Sequence, residues 1–209
     1  MGMKVNSYKD IERTYSGKFG YMANLPDQVR VMFMWICQDL AILDRKWRYY
    51  TELYLDDGNK KKLVESARSV FSVYEEVLFF DILLSVARLN DDQYTGKWEN
   101  ISLDALTTRA RMKTQLRTLM NRYKRSCRSI EMIRNKRLAH RDFNTIDNPE
   151  ICTIPAITVQ EITTAIELAK TIVITVLQKY CNYDMTFKLT TPGGPDQLLQ
   201  IISQRVKIE

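Results

Sequence analysis

Residues 77–84 read Val-Leu-Phe-Phe-Asp-Ile-Leu-Leu, an apolar run that is interrupted once, by Asp81. The run lies in a segment from about Lys60 to Asn90 whose pattern predicts a long helix, in a chain with only 7 Gly and 5 Pro. A helix that is apolar on every face is buried on every face. We therefore expect this run to lie at the centre of a helical bundle or in a subunit interface.

Helices are also predicted on both sides of this segment. An apolar stripe with steps of three and four residues predicts a first helix from Pro26 onward, ended near residues 56–59 with Gly58 as a left-handed cap. Residues 91–101 are predicted to form a loop, after which Ser102 caps a short helix. A basic helix from about Arg109 to Leu138 follows. The capping-box pattern of residues 158–161 then opens a last long helix.

Together these patterns predict one all-α domain, an antiparallel bundle of four to five helices with a short C-terminal appendage. The bundle is expected within residues 1–185, with its core at about 26–183. Residues 186–209 are expected to form a linker and a short amphipathic helix, which docks on the bundle or on a second subunit.

Positive charge is concentrated in one part of the chain. Residues 109–141 carry twelve Lys and Arg and one acid, Glu131, a net charge of +11 that leaves −5 for the rest of a chain whose total is +6. Such a segment suits a polyanion, and RNA is the commonest one in the cytoplasm. A solvated basic helix face is the alternative.

The remaining features argue against other classes of protein. The N-terminal residues lack the apolar core of a signal peptide and no apolar stretch is long enough to span a bilayer, so we expect a cytoplasmic location and no membrane. The four cysteines are widely scattered, which favours buried reduced thiols over a disulfide or a zinc site. No metal site and no cofactor are predicted.

Two residues of the basic segment suggest chemistry. His140 is the only histidine in the chain. Arg134 comes four residues after Ile130 and seven after Cys127, so it projects onto the apolar stripe, where a guanidinium needs an acid, a carbonyl or a phosphate. Asp81 is a candidate partner, and a structural Arg134–Asp81 ion pair is therefore one interpretation.

The spacing of these two residues places a condition on any shared site. In an unbroken helix, residues six apart point about 120° apart, so the helix must loosen near Leu138 for Arg134 and His140 to reach one phosphate. Arg137 and Arg141 compete with Arg134 for the same role, because Arg137 lies three residues before His140 and Arg141 lies seven after Arg134 on the same face.

The segment Arg134-Asn135-Lys136-Arg137-Leu138-Ala139-His140-Arg141-Asp142 resembles the signature of the HEPN superfamily, which is an Arg, four to six further residues and a His, with a polar residue favoured after the Arg. The amino-acid sequence of this segment is similar to that found in the abortive-infection HEPN proteins of the AbiU-like branch. Residues 79–81 and 85–91, which include Asp81 and Arg88, are similar to that branch too.

The resemblance implies a HEPN-type bundle that dimerises so that two motifs form one ribonuclease site. Arg134, Asn135 and His140 are then the catalytic residues, with Asp81 and Arg88 in support. The RNA-binding residues are expected to be Lys136, Arg137, Arg141 and Arg128. One chain offers one imidazole, and a two-fold axis supplies the second one that in-line cleavage uses for its acid and base.

The sequence therefore predicts a metal-independent endoribonuclease of phage-defence or toxin type, in which the ribose 2′-hydroxyl attacks the neighbouring phosphodiester. The alternative is a catalytically silent HEPN-like dimer that binds RNA, a nucleotide or a partner protein. An antitoxin or a nucleotidyltransferase is an expected partner. Some HEPN toxins carry a Tyr two residues after the His that such an enzyme modifies. Asp142 stands there in this chain, so silencing must use another route.

Overall fold

The computed structural model describes residues 22, 24–135, 156–181, 185–187 and 193–205. As predicted, these residues form an all-α bundle. One very short hairpin lies in the segment that was predicted to be a loop. The elements, in chain order, are α1 (Asp27–Tyr50), α2 (Asp57–Leu89), β1 (Tyr94–Thr95), β2 (Trp98–Glu99), α3 (Leu103–Arg109), α4 (Arg117–Ser126), α5 (Arg128–Ile133), α6 (Val159–Tyr180) and α7 (Pro195–Arg205).

Helix α1 follows the predicted stripe and buries it in the core. The buried side chains include Val29, Phe33 and Ile36, each fully enclosed. The chain continues from α1 through a wider π-helical turn, Thr51–Leu55. The predicted role of Gly58 is wrong: it lies in the first turn of α2, whose N-terminus is capped by the Asp56 side chain, which accepts a hydrogen bond from the Asn59 amide at 2.8 Å.

Helix α2 is the longest helix and is apolar on two different faces. Ile82 and Leu83 are fully buried against the core, whereas Val77 is 61% exposed and Leu84 is 37% exposed. The backbone leaves helical geometry at Ala67 (φ −163°, ψ 74°), so a kink separates the two parts of α2. Within one copy of the chain the run is therefore not buried on every face, and its burial in a subunit interface stays a prediction.

The predicted single basic helix is also wrong, because the chain breaks twice within it. Arg111 has a positive φ of 51°, which ends α3 and starts a turn. The carbonyl of the buried residue Ala110 accepts hydrogen bonds from the Tyr180 hydroxyl at 2.8 Å and from Lys179 Nζ at 2.7 Å, so α6 stabilises this break. A second break at Cys127 separates α4 from α5.

Helix α6 is central to the bundle and packs against α1, α2, α3 and α4. It begins with the predicted capping box, in which the Thr158 and Glu161 side chains each accept a hydrogen bond from the other residue's amide. Near its middle, Lys170 pairs with the buried Asp44 of α1. Within the described ranges, no helix is both long and apolar enough to cross a membrane.

The C-terminal helix α7 packs on the first part of α2 and on the π-helical turn. Leu199 and Ile202 of α7 are buried there in a small apolar cluster with Leu53, Tyr54 and Leu63. This cluster is separate from the main core, which lies between α1, α6 and the second half of α2. The helix therefore covers the end of the bundle that lies away from Asp91, the residue just beyond the C-terminus of α2.

Candidate functional site

An open cleft lies where the end of α2 meets α4 and α5. Its volume is about 620 Å³. Four cationic side chains, three carboxylates and two amides line it, and we refer to it as the Arg134 cleft. These residues are Asn90, Asp91, Asp92, Asn121, Lys124, Arg125, Arg128, Glu131 and Arg134.

The walls of the cleft are fixed by burial behind it. Tyr123 of α4 is fully buried, and its hydroxyl donates a hydrogen bond of 3.0 Å to the Val86 carbonyl of α2. Burial raises the pKa of this hydroxyl well above its ordinary value, so it stays protonated and keeps donating. Ile130 and Ile133 of α5 are buried beside it. The helices that bear the polar side chains are therefore anchored.

Arg134 is held at two points at the edge of the cleft. Its Nη1 lies 2.5 Å from Asp91 Oδ1, and its Nε donates to Asn135 Oδ1 at 3.0 Å. The Arg134 side chain remains 25% exposed. A guanidinium has five N–H donors, of which these contacts use two, so the group is oriented by protein and keeps donors for an anion.

A second carboxylate in the cleft is also held in place. Glu131 Oε1 accepts a hydrogen bond of 2.5 Å from Asn90 Nδ2, and Asn90 is only 6% exposed. The third carboxylate, Asp92, lies 3.2 Å from Lys124 Nζ. Two of the three acids are thus paired with a cation and the third with an amide.

Two cations of the cleft remain for an incoming anion. Among the described residues, neither Arg125 nor Arg128 lies within ion-pair distance of a carboxylate, and both side chains are exposed. Arg125 Nε donates to the Asn121 carbonyl at 3.2 Å, which orients it along α4. Together with Arg134 they present positive charge on one side of the opening, the arrangement that binds phosphate.

The predicted site residues fall into three groups. Arg134, Asn135 and Arg128 lie in or beside the cleft. Lys136, Arg137, His140 and Arg141 lie outside the described residues. Asp81 and Arg88 lie elsewhere on α2.

The Arg134–Asp81 ion pair does not form. Asp81 pairs with Lys46 of α1, and Arg88 Nη2 contacts Ser85 Oγ at 3.3 Å. Burial raises the pKa of Asp39, and the positive charges of Arg88 and Lys46 oppose that rise, which places these groups in one electrostatic cluster between α1 and α2. The acid that Arg134 uses is Asp91, the residue that ends the similar stretch 85–91.

The sequence pattern did not assign a role to most of the residues that line the cleft. Asn90, Asp91 and Asp92 follow α2 directly, and a polar cluster just beyond a buried helix is the signal that marks them. Glu131 was visible as the one acid in the basic segment. Its meeting with Asn90 depends on the contact between α2 and α5, which no local pattern reveals.

Cysteine and metal chemistry find no support among the described residues. These residues contain no group of three His, Cys, Asp or Glu placed to hold a metal ion. Burial raises the pKa of Cys127 to about 12, so its thiol behind the cleft stays protonated and unreactive at neutral pH.

The bundle is that of an all-α protein of the HEPN type. The family model HEPN_AbiU2, described as AbiU2, matches residues 31–196, which is most of the chain. The chain therefore belongs to the AbiU2 family of HEPN proteins, as its motif suggested. No curated protein and no solved structure matches it.

Proposed function

We propose that this protein is a metal-independent endoribonuclease of phage-defence or toxin type, acting in the cytoplasm. The observation that carries the proposal is the state of Arg134, which is fixed by Asp91 and Asn135 in an open cleft and keeps free donors beside two further cations. A fixed cation that needs no reorganisation is what stabilises charge growing on phosphorus. His140 follows six residues later in the chain.

The reaction uses the RNA itself as the nucleophile. His140 of one copy takes the proton of the ribose 2′-hydroxyl, and the 2′-oxygen forms a bond to the adjacent phosphorus. The bond from phosphorus to the 5′-oxygen breaks, and a second imidazole donates a proton to that leaving oxygen. The products are a 2′,3′-cyclic phosphate and a 5′-hydroxyl. Arg134 donates to the phosphoryl oxygens throughout.

The proposal requires a homodimer, because each chain has a single histidine. Two-fold symmetry brings the second imidazole and a second Arg134 to the same phosphate. Arg128 binds the backbone of the RNA further along the cleft, with Lys136, Arg137 and Arg141 extending the positive surface. A protein antitoxin or a nucleotidyltransferase partner would control the activity without a Tyr at position 142.

The test is an RNA cleavage assay in the presence of EDTA. We expect purified protein to cut mixed cellular RNA and to leave cyclic phosphate ends, and we expect His140→Ala to remove the activity. Arg122→Ala is the control, because Arg122 is an exposed arginine of α4 that does not line the cleft. No cleavage by the wild type, or full cleavage by His140→Ala, contradicts the proposal.

A binding protein without catalysis is the second candidate. The observation that favours it is the content of the cleft: three carboxylates stand among its four cations, and one of them occupies Arg134. In that case wild type and His140→Ala bind RNA or a nucleotide equally well and neither cuts. Measuring binding and cleavage on the same RNA separates the two functions.

A further inference from the structure

The second half of α2 exposes a continuous apolar surface. Of the twelve large hydrophobic side chains that are exposed in the described part of the chain, five lie here. Val73 is 60% exposed, Tyr74 65% and Val77 61%. Single exposed apolar residues are ordinary, but a contiguous group on one helix indicates a binding surface.

The spacing of this surface is that of a helix-pairing seam. Apolar residues recur at steps of three, four, three and four, which is the a/d pattern of a heptad repeat, over two heptads. At 100° per residue they fall within an arc of about 80°. We call this set the α2 seam: Val70, Val73, Val77, Phe80 and Leu84, with Tyr74 beside it.

The seam lies on the face opposite to the core. Ile82, Leu83 and Val86 of the same helix are buried, and they point away from the seam by the same angular arithmetic. Only Phe80 belongs partly to both faces, since it packs at the edge of the main core. The seam also lies after the deviation at Ala67, within one continuous helical segment.

We propose that the α2 seam is the surface by which two copies of this chain pair. The five exposed side chains leave on the order of 500 Å² of apolar surface per copy, so that a symmetric pair buries about 1,000 Å² from the seam alone. That area is the lower limit for a specific interface, and flanking contacts add to it. The β-branched Val70 and Val77 fall at one seam position, as in two-stranded helix pairs.

The charges beside the seam permit self-pairing. Asp81 flanks the seam, and in a like-with-like pair two such carboxylates approach each other. Lys46 of the same chain already binds this carboxylate, which removes most of that repulsion. Because Asp81 is paired within its own chain, an identical partner can lie against this side of the seam.

The direction of pairing rests on the proposed function. Arg134 is paired with Asp91, which lies two residues beyond the end of α2, so the cleft lies near the C-terminal end of the seam. If the two helices ran antiparallel about Val77, the two Asp91 residues would lie roughly 40 Å apart at 1.5 Å per residue. Parallel helices bring both clefts to the same end of the pair, as a site shared by two copies requires.

Self-association is tested first, by sedimentation over a range of concentrations. We expect the wild type to be dimeric and Val73→Glu/Val77→Glu to raise the dimer dissociation constant on the order of 100-fold or more, since it places unpaired charges in the seam. Val159→Glu is the matched control, an exposed valine at the start of α6 that should leave the dimer intact. Circular dichroism verifies that every variant is helical.

The outcomes against the proposal are equally specific. A wild type that is monomeric means that the seam receives a different protein or another segment of this chain. A folded Val73→Glu/Val77→Glu variant that stays dimeric means that the copies pair elsewhere. The second result overturns the seam and leaves the nuclease untouched, whereas a monomeric wild type also contradicts the homodimer that the nuclease requires. The His140→Ala comparison tests the nuclease separately in both cases.

Disulfide cross-linking then gives the direction. In a parallel pair, Val70→Cys joins to itself and Leu84→Cys joins to itself under mild oxidation, because like positions face each other. In an antiparallel pair about Val77, neither variant joins to itself and only a mixture of the two cross-links. Wild-type protein under the same oxidation controls for its own cysteines. The antiparallel result overturns the parallel pairing, even if cleavage by the wild type is observed.

Discussion

Two of the cation–carboxylate pairs that join separate elements of this protein differ in how much solvent reaches them. Lys170 and Asp44 link α6 to α1, with side chains 15% and 10% exposed. Arg134 and Asp91 link the end of α5 to the end of α2, with side chains 25% and 32% exposed. The chemistry of the two pairs is similar, but their surroundings assign them different roles.

The buried pair has little freedom to do anything except hold two helices together. Lys170 also contacts Glu167 at 2.8 Å, so its charge is satisfied inside the protein. The cleft pair leaves donors of Arg134 open and stands beside Arg125 and Arg128. The comparison teaches that an ion pair is a site candidate when part of the cation remains available, and a structural element when none does.

Breaking the buried pair should have the largest effect on stability. Lys170→Met leaves the Asp44 carboxylate buried without its main partner, and we expect the free energy of unfolding to fall by about 3–5 kcal/mol. Urea unfolding at pH 7 measures it. A loss below about 1 kcal/mol would show that this pair is no more structural than an exposed one.

The pH dependence of that difference follows from Lys170. Burial lowers its pKa, but the hydrogen bonds to Asp44 and Glu167 outweigh burial, so its pKa is raised above the ordinary 10.5. Because the pKa of Lys170 is higher in the folded than in the unfolded protein, the pair contributes fully to the free energy of unfolding at any pH below the unfolded-state pKa. The contribution is lost only as the pH rises through the folded-state pKa. The difference in the free energy of unfolding between wild type and Lys170→Met should therefore be equal at pH 7 and pH 9.

Breaking the cleft pair from its cationic side should act on catalysis instead. We expect Arg134→Ala to slow RNA cleavage about 100-fold or more and to change the free energy of unfolding by less than about 1 kcal/mol. Single-turnover rates and urea unfolding give the two numbers. A variant that loses several kcal/mol of stability and keeps its rate would place Arg134 with Lys170 as a structural residue.

Removing the acid of the cleft pair sharpens the same distinction. Asp91→Asn keeps the shape of the side chain but weakens its hold on Arg134, so we expect cleavage to fall about 10-fold through loss of orientation. Binding of RNA should become slightly tighter, because one negative charge leaves the cleft. Slower cleavage together with weaker binding would mean that Asp91 does not act through Arg134.

The smallest effect is expected at the outer cation of the cleft. Arg128→Ala should weaken RNA binding a few-fold and lower the slope of log affinity against log salt by about 1, the signature of one phosphate contact. Arg122→Ala, from the same basic segment but outside the cleft, should change the slope less. Equal slopes for the two variants would mean that the positive charge acts as a diffuse field.

Much of the fold was predictable because it depends on local sequence patterns. The stripe of α1 and the capping box of α6 appear in the structure where the sequence placed them. The break at Arg111 was not predictable, because the side chains that stabilise it, Lys179 and Tyr180, come from α6 almost seventy residues away. The local helix propensity favours a continuous helix at this point, but the tertiary contact with α6 overrides that propensity.

The candidate site was predictable only in part, for the same physical reason. Arg134 stood out because a charged side chain fell on an apolar stripe. Its partner did not, because choosing between Asp81 and Asp91 requires the position of α2 relative to α5. The run at residues 77–84 predicted burial, and whether a second copy supplies half of that burial depends on assembly, which hydrophobicity alone does not reveal.

The most direct test of the central claim is a double-mutant cycle on single-turnover RNA cleavage with Arg134→Ala, His140→Ala and the double variant. If both residues act on one phosphate, each substitution alone slows the reaction about 100-fold or more, and the double variant is little slower than the worse single variant. Effects that multiply in the double variant would contradict the claim, because they would mean that Arg134 and His140 work at separate places.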